Sequence, residues 1–442
     1  MKIQLSDHFT YGRLFRFTLP SIVMMVFTSI YGVVDGFFVS NFAGKTAFAS
    51  INLIMPFIII IGSLGFMVGT GGTALVSRIL GEGDEKKANK YFSMLIYLTI
   101  IMGIVLSVIG VVFMRPVSIL LGATDAMIED CVLYGRIVIS FTAAYMLQNV
   151  FQSFLVAAEK PNLGLIATLA AGFTNMILDA VFVGVFRWGI TGAALATGIS
   201  QCIGGLLPLI YFIRPNNSKL RLTKASFELR PILQACANGS SELMSNVSAS
   251  VVGIVYNFQL LKYLGENGVS AYGVLMYVQF IFVAIFFGYA IGCAPVIGFH
   301  YGAGNHSALQ NLLKKSVKIM MSLGVILTVL ALLLAHPLAK IFVGYDAELL
   351  AITEHAFKLF SFCFLLSGFN IFSSSFFTAL NNGGISAAIS FLRTLIFQTL
   401  SVLILPIFLG VDGLWGANVA AEIFAFVISL AFLVANRKKY HY

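Results

Sequence analysis

The sequence is poor in charged residues. Asp, Glu, Lys and Arg make up 10% of its 442 residues, and 59% of the residues are hydrophobic, whereas a soluble domain carries about 25% charged residues. No soluble fold hides so much apolar surface, so we predict that the lipid bilayer surrounds most of the chain. The net charge of +9 does not indicate a nucleic-acid partner, because the basic residues fall in short gaps between apolar runs.

Motifs for ATP binding, metal binding and redox chemistry are also missing. The segment Gly81–Lys86 lacks the GxxxxGK[ST] spacing of an ATP-binding loop, so ATP is not expected as an energy source within this chain. The six histidines form no HExxH pattern, and the five cysteines lie far apart without a CxxC pair. We therefore expect no cofactor and no enzymatic activity, and we interpret the cysteines as helix-packing residues.

Twelve apolar runs are long enough to cross a bilayer, which takes about 20 residues per helix. The runs lie near 14–39, 46–79, 92–114, 131–158, 163–186, 190–213, 232–262, 268–300, 316–336, 349–380, 385–409 and 413–435. The first run is longer than the apolar core of a signal peptide and is interpreted as a permanent span. The predicted fold class is an all-α integral membrane protein with 12 transmembrane helices.

Basic residues are distributed unevenly between the two sides of this topology. The gaps after even-numbered runs, together with the chain ends, hold 19 Lys and Arg residues, and the opposite side holds 5. Cytoplasmic loops carry such an excess in membrane proteins. We therefore predict a multi-pass membrane protein with both termini in the cytoplasm.

The two halves of the chain resemble each other. Four sets of residues recur in order at offsets of 221 to 224, namely Gly81-x-Gly83 with Gly302-x-Gly304, Pro116 with Pro337, Asp125 with Asp346, and Gly189, Gly192 and Ala193 with Gly413, Gly416 and Ala417. Six spans return the chain to its starting side, so the copies are parallel, and we expect two six-helix lobes with a central cleft. The predicted units are an N-lobe (1–214), a cytoplasmic linker (215–230) and a C-lobe (231–442).

Polar side chains lie deep within the apolar runs of the first half. Asp35 is near the end of the first run, and Asn175 and Asp179 lie four residues apart, on one face of a helix. Charged groups at membrane depth are costly and usually face a cavity as ion or proton sites. If Asp35 and Asp179 meet, two negative charges are hard to hold together, and one proton or one cation relieves the repulsion.

Thr197 is a candidate for a further oxygen at this site. Oxygens from Asp35, Asn175, Asp179 and Thr197 suit a hard cation, so these residues would be the ligands if the coupling ion is Na⁺, or a relay if it is H⁺. The structural alternative is an acid in a permanent pair, with the Asn in an interhelical hydrogen bond and the Thr bonded to its own backbone.

The helix that carries Asp35 contains residues that affect its shape. Pro20 removes a backbone hydrogen bond and is predicted to kink the helix, so a change in the charge of Asp35 would change the bend of this helix. Gly32 and Gly36, which flank Asp35 and lie one turn apart, predict close approach of another helix. The counterparts of Asp35 and Asp179 in the second half are the apolar Ile254 and Leu403, so the cation site is predicted in the first lobe only.

A second set of residues is predicted to line the substrate cleft. Glu242 lies inside the seventh run among Ser240, Ser241 and Ser245, which indicates a wet helix face. The other candidates are Met24, Tyr31, Gln148, Asn149 and Gln152. Helix packing is the alternative interpretation for these residues. Glu422, in the last run, is either a second substrate contact or a structural acid, with Arg393 as its candidate partner.

The chain resembles the MATE (multidrug and toxic compound extrusion) family, and most of all its MepA-like bacterial branch. The residues that carry the resemblance are Pro20, Asp35, the segment 69–78 running into Gly81, the pair Asn175-x-x-x-Asp179, and the segment 189–197 ending at Thr197. The resemblance implies export of lipophilic, mostly cationic drugs and dyes in exchange for H⁺ or Na⁺ by alternating access. It assigns the cation site to Asp35, Asn175, Asp179 and Thr197, and a span 7 acid to Glu242.

Two features of the sequence argue against a second cation site and against the alternative function. Some branches of the family place an aspartate in span 10, where this chain has Ser367, Asn370 and Ser373, which argues against a cation site in the second lobe. A flippase for lipid-linked precursors from the same superfamily is the alternative function. Its anionic substrates call for a basic cavity, whereas the candidate cavity charges here are acidic apart from Arg393.

Overall fold

The computed structural model describes residues 3–442, which contain helices and turns and no strand. Lys2, counted above in the charge asymmetry, lies outside the described residues. The α-helices are α1 (Tyr11–Phe38), α2 (Lys45–Gly81), α3 (Glu85–Leu120), α4 (Ile128–Ser140), α5 (Thr142–Ala157), α6 (Pro161–Leu178), α7 (Gly189–Ile213), α8 (Leu229–Gly302), α9 (His306–Val343), α10 (Ala347–Phe360), α11 (Phe364–Ala379), α12 (Gly383–Phe391), α13 (Gln398–Leu409) and α14 (Val411–Tyr440). Short π-helical turns follow α1, α6 and α12, and a 3₁₀ turn separates α10 from α11.

The helices confirm a multi-pass membrane protein. Within residues 3–442, ten helical segments are long and apolar enough to cross a bilayer, and counting α4 with α5 as one span gives eleven. The run predicted near 131–158 is not one straight helix, because α4 and α5 meet at a bend of 56°. Hydropathy does not reveal this bend because the residues around Phe141 are as apolar as the helices they join.

Two helices extend well beyond the apolar runs that predicted them. Helix α3 begins at Glu85, and Asp84 caps it by accepting a hydrogen bond from the backbone N–H of Lys87 (3.0 Å). Helix α9 begins at His306, where Asn305 has the same capping role. Side-chain caps satisfy the free N–H groups of a first turn, so these helices continue into polar sequence that hydropathy counts as loop.

Helix α8 covers two of the predicted runs and is interrupted between them. It is assigned 74 residues, but Gly265 has φ 62° and ψ −149°, which is not a helical conformation. That region of backbone space is essentially confined to glycine. Gly265 therefore divides α8 into an N-terminal arm (229–264) and a C-terminal arm (266–302).

The segments that begin at residue 3 and end at residue 442 lie at one end of the helix bundle, which we call the terminal face. The backbone N–H of Leu5 donates to Oε1 of Glu159, in the turn between α5 and α6 (2.8 Å). Near the C-terminus, the hydroxyl of Tyr440 accepts a hydrogen bond from Nδ2 of Asn382, in the turn between α11 and α12 (2.8 Å). The terminal face is thus built from helix ends of both halves of the chain.

Near the terminal face, α2 and α8 touch backbone to backbone. A Cβ atom on Gly71 would lie 1.9 Å from the carbonyl oxygen of Ala235, and one on Gly239 would lie 1.9 Å from that of Met67. No side chain fits at such distances, so glycine is required at both positions. This contact joins the N-terminal half (3–214) directly to the C-terminal half (229–442).

The two halves separate toward the opposite end of the bundle. Two apolar cores mix residues of both halves, and in the larger one the residues of the N-terminal half lie toward the terminal face, namely Leu5, Phe9, Leu14, Phe17, Ile22 and Val156. The core at the other end, which includes Ile51, Ile58, Val132 and Val183, draws only on the N-terminal half within residues 3–442. The side chains that the sequence assigned to an ion site therefore lie in a part of the bundle that the C-terminal half does not seal.

Candidate functional site

Asp35 lies in the last turn of α1, where the helix changes its winding. The N–H of Val39 donates to the carbonyl oxygens of both Asp35 and Gly36 as α1 passes into a π-helical turn at Val39–Ala43. The side chain of Asp35 is partly buried. Close helix approach at Gly32 and Gly36, predicted above, is wrong for this structure, since a Cβ on either glycine would meet nothing within 4 Å in the described chain.

Asn175 and Asp179 lie at the junction of α6 with a second π-helical turn. Helix α6 ends at Leu178, and Asp179 begins the turn Asp179–Val185 while its N–H still donates to the carbonyl oxygen of Asn175. Both side chains are buried, Asp179 completely. A π-helical turn inside a helix frequently marks a functional site, and the sequence pattern gave no sign of one here.

The structure brings Asp35, Asp179 and Thr197 together from α1, the π-helical turn and α7. The two carboxyl groups are near enough for their charges to interact. The ring of Tyr134, from α4, lies beside both acids and beside Thr197. Sequence reasoning missed Tyr134, whose only signal was a hydroxyl group within an apolar run.

The oxygens at this site lack hydrogen-bond partners. Within residues 3–442, no donor reaches the buried oxygens Asp35 Oδ1, Asn175 Oδ1, Asp179 Oδ1, Asp179 Oδ2 and Thr197 Oγ1. Buried polar atoms are nearly always paired, so a cluster of exceptions requires an explanation. Oxygen donors around two acids suit a proton or a hard monovalent cation, and this observation speaks against the structural alternative of permanent pairing.

A separate polar pocket lies between the two halves. Its lining comes from both, and includes Thr70, Thr73, Ser153, Glu242, Asn370, Ser374 and Arg393. The side chain of Glu242 makes no hydrogen bond or ion pair with the described residues. Oxygens of Thr73, Ser153 and Asn370 are buried there without partners in residues 3–442. The pocket thus offers one acid and several open hydrogen-bonding groups.

The other predicted cleft residues lie in helix contacts of the N-terminal half. Asn149 donates from Nδ2 to the carbonyl oxygen of Gly62 (3.0 Å) and so ties α5 to α2. Gln148 packs against Gly204 of α7, and Tyr31 lies near it. Met24 is buried, as are Gln148, Asn149 and Gln152. Their assignment to the cleft stays a prediction.

Two further candidates can be placed. Glu422 is paired with Arg393, as the sequence suggested, since Nη2 of Arg393 lies 2.7 Å from Oε1 of Glu422. Glu422 is therefore neutralised within the protein.

Pro20 is buried inside α1, and the helix runs from Tyr11 to Phe38 through it.

Known proteins similar to this chain share this architecture. The profile of the MatE family matches residues 20–181 and 242–404. The sequence is 25% identical over 429 residues to the multidrug export protein MepA of Staphylococcus haemolyticus, with 96% of this chain and 93% of that protein covered. The fold matches an outward-facing multidrug resistance MATE family transporter of the MOP superfamily, with a TM-score of 0.92, 21% identity and coverage of 98% and 97%. It also matches a MOP superfamily transporter from Pyrococcus furiosus, described by the reverse polarity of its binding pocket, with a TM-score of 0.90, 21% identity and coverage of 98% and 97%.

Proposed function

Because this chain belongs to the MatE family of membrane transporters, we propose that it exports lipophilic, mostly cationic compounds in exchange for H⁺ or Na⁺. The observation that carries the proposal is the cluster of unpartnered oxygens at Asp35, Asn175, Asp179 and Thr197. A transporter needs an exchangeable ion at membrane depth, and acids without a permanent partner can bind and release one. Glu242 in the pocket between the halves supplies the counter-charge for a cationic substrate.

We propose that the chain forms 12 spans in two parallel six-helix lobes. Left-handed backbone positions recur in pairs at offsets of 221 to 223, namely Gly44 with Gly265, Gly83 with Gly304, Glu159 with Asn381, and Arg187 with Gly410. Gly44 separates the first two spans, so its counterpart Gly265 separates two spans within α8. The two nearly equal segments matched by the family profile support the same duplication.

Contacts between the halves support an axis along the membrane normal. Gly71 touches Gly239, and the pair related by the offset of 221, Gly292 and Thr18, is also in contact. A second equivalent pair is formed by Gly302 with the backbone of Arg78 and by Gly81 with the backbone of Phe299. Equivalent contacts made in both directions are those of a two-fold arrangement of parallel repeats.

The proposed conformation is closed toward the cytoplasm and open outward. The terminal face carries the excess of basic residues, and the positive-inside rule therefore favours a cytoplasmic location for it. The halves meet there and part at the other end. In this state the acids of the N-lobe would meet external cations, and their binding would shift the N-lobe and weaken substrate binding before the cation leaves inward.

Energetics favour more than one cation per substrate. A proton entering down roughly 100 mV gains about 2.3 kcal/mol, and one pH unit adds about 1.4 kcal/mol. If one monovalent drug cation leaves as one proton enters, the voltage contributions cancel, and about tenfold accumulation per pH unit remains. Two interacting acids at Asp35 and Asp179 can supply the second charge.

Dye efflux from everted membrane vesicles tests the proposed function. Ethidium is loaded under an imposed proton gradient in one series and an imposed sodium gradient in another. We expect ATP-independent transport driven by at least one of the two gradients and abolished when that gradient is collapsed. Transport of ethidium that follows neither gradient would contradict the proposal.

Replacing Glu242 with Gln is expected to discriminate between substrate charges. A hydrogen bond to a charged group contributes about 1.5–3 kcal/mol, so the apparent affinity for a monovalent cation such as ethidium should fall about 10- to 100-fold. A neutral substrate should be bound as before. Substrate competition in the same vesicles measures both, and Glu242→Asp is the control that keeps the charge. An equal loss for cationic and neutral compounds would assign Glu242 to packing.

The flippase alternative predicts a basic cavity. Arg393 does line the pocket, but Glu422 neutralises it through two hydrogen bonds from Nε and Nη2. Glu242 is then the charged residue of the pocket lining that has no partner in the described chain. The polarity of the pocket therefore favours cationic over anionic substrates.

A further inference from the structure

The C-terminal half contains a buried ion pair that the proposed transport cycle does not use. Nε of Arg393 lies 3.0 Å from Oε1 and 3.1 Å from Oε2 of Glu422, and Nη2 lies 2.7 Å from Oε1. The two side chains are 12% and 4% exposed. Replacing a buried ion pair with apolar residues often leaves a protein equally stable, so stability alone does not account for this pair.

Asn370 completes the surroundings of Glu422. Its Nδ2 donates to Oε2 (2.6 Å) and to the backbone oxygen of Glu422 (3.0 Å). The thiol of Cys363 lies near both members of the ion pair. Glu422 thus comes from α14, Asn370 from α11 and Arg393 from the π-helical turn Leu392–Phe397.

One member of this cluster, Glu422, corresponds to a residue beside the candidate ion site of the N-terminal half. At the repeat offset of 224, Glu422 corresponds to Gly198, the neighbour of Thr197. Helices α6 and α12 are counterparts and each passes into a π-helical turn, but the turns are not at equivalent positions, since Arg393 lies ten residues before Leu403, the counterpart of Asp179.

The two clusters differ in how the acids are neutralised. Asp35 and Asp179 have oxygens without partners within residues 3–442, whereas both carboxylate oxygens of Glu422 are occupied by Arg393 and Asn370. An acid with an internal guanidinium has no need of an ion from solution.

We propose that Arg393 is a tethered cation. Its guanidinium permanently neutralises Glu422, as an exchangeable cation would neutralise Asp35 and Asp179 in the N-terminal half. Glu422 therefore keeps one charge state throughout the cycle and adds nothing to the number of coupling ions. This inference rests on the proposed function, and Arg393 acts in it as a positioning residue through Glu422.

Chemical rescue provides a direct test that does not depend on transport. Arg393→Ala removes the guanidinium and leaves the Glu422 carboxylate. We expect a lowered melting temperature in the purified variant, restored largely by millimolar guanidinium chloride and not by choline chloride. Wild type and the double variant Arg393→Ala with Glu422→Gln should show no such response. Failure of guanidinium to restore Arg393→Ala, or an equal effect on the double variant, would overturn the proposal.

The coupling ratio tests the functional consequence. Reversal potentials of ethidium transport in proteoliposomes give the number of cations per substrate. In Arg393→Gln, a cation from solution must neutralise Glu422. We therefore expect this variant to transport about one more cation per substrate than wild type does. Arg393→Gln with Glu422→Gln should keep the wild-type ratio.

The double variant keeps the test informative if Arg393→Gln misfolds, because both positions 393 and 422 are neutral in it. An unchanged ratio in Arg393→Gln that transports normally, or a changed ratio in the double variant, would contradict a tethered cation. If wild type itself fails to export ethidium, the proposed function fails, and the melting experiment still decides the role of Arg393.

Discussion

Asparagine at position 35 or 179 is expected to abolish gradient-driven export while leaving the protein folded. Either change removes one of two interacting acids, and an amide cannot take up a proton or neutralise a cation in the same way. A cation gradient of roughly 100 mV and one pH unit amounts to about 3.7 kcal/mol, which sustains a few-hundredfold accumulation of a neutral substrate. The variants should lose this accumulation and equilibrate the substrate instead.

Substrate accumulation in everted vesicles under an imposed gradient measures the effect. Asp125→Asn is the matched control, because Asp125 is an exposed aspartate in the turn between α3 and α4. Thermal melting of each purified variant shows whether folding is retained. Undiminished gradient-driven accumulation in Asp35→Asn and Asp179→Asn would remove these residues from the coupling mechanism.

Alanine at Gly71 or Gly239 is expected to prevent the terminal face from closing. The new Cβ would stand 1.9 Å from a backbone oxygen of the other half, and backbone cannot move aside as a flexible side chain does. Overpacking costs about 1–3 kcal/mol, which changes the ratio of two conformations by roughly 5- to 150-fold. Export should fall by a similar factor, because a transporter held open on one side does not complete its cycle.

Cys236 reports the same change independently of transport. It is partly buried next to Ala235, in the contact that Gly71 makes. A charged thiol reagent added from the cytoplasmic side should label Cys236 faster in Gly71→Ala than in wild type. Gly36→Ala is the matched control, since a Cβ there meets nothing within 4 Å in residues 3–442. Wild-type labelling and export in Gly71→Ala would show that the contact does not govern closure.

The sequence drew attention to Asp35 and Asp179 because acids are conspicuous in apolar runs, and their assignment to an ion site stays a prediction. Asp35, Asp179 and Thr197 are distant in sequence, and the structure brings them together. Asn175 and Asp179 were expected on one face by the spacing of an α-helix. They are adjacent, but a π-helical turn begins at Asp179, and no hydropathy pattern distinguishes π from α winding in a run of apolar residues.

Sequence reasoning could not identify the residues that act through tertiary contacts. Tyr134 lies beside Asp35, Asp179 and Thr197 from α4, and a tyrosine in an apolar run carries no indication of its neighbours. Gly71 and Gly32 both lie in apolar runs, yet among residues 3–442 a Cβ on Gly71 would meet another helix and one on Gly32 would meet nothing within 4 Å. The pairing of Arg393 with Glu422 could be anticipated, because two opposite charges at membrane depth have few other ways to be satisfied.

The most direct measurement is the linkage between substrate and cation in purified wild-type protein and in the double variant Asp35→Asn with Asp179→Asn. Binding of tetraphenylphosphonium is titrated at increasing Na⁺ at fixed pH, and at falling pH without Na⁺. Binding free energies are reciprocal, so a cation site in the N-terminal half predicts that tetraphenylphosphonium affinity in wild type falls as one of the two cations rises. The double variant should bind tetraphenylphosphonium with an affinity that is independent of both cations. The same cation dependence in the double variant and in wild type would contradict the assignment of the ion site to these two carboxylates.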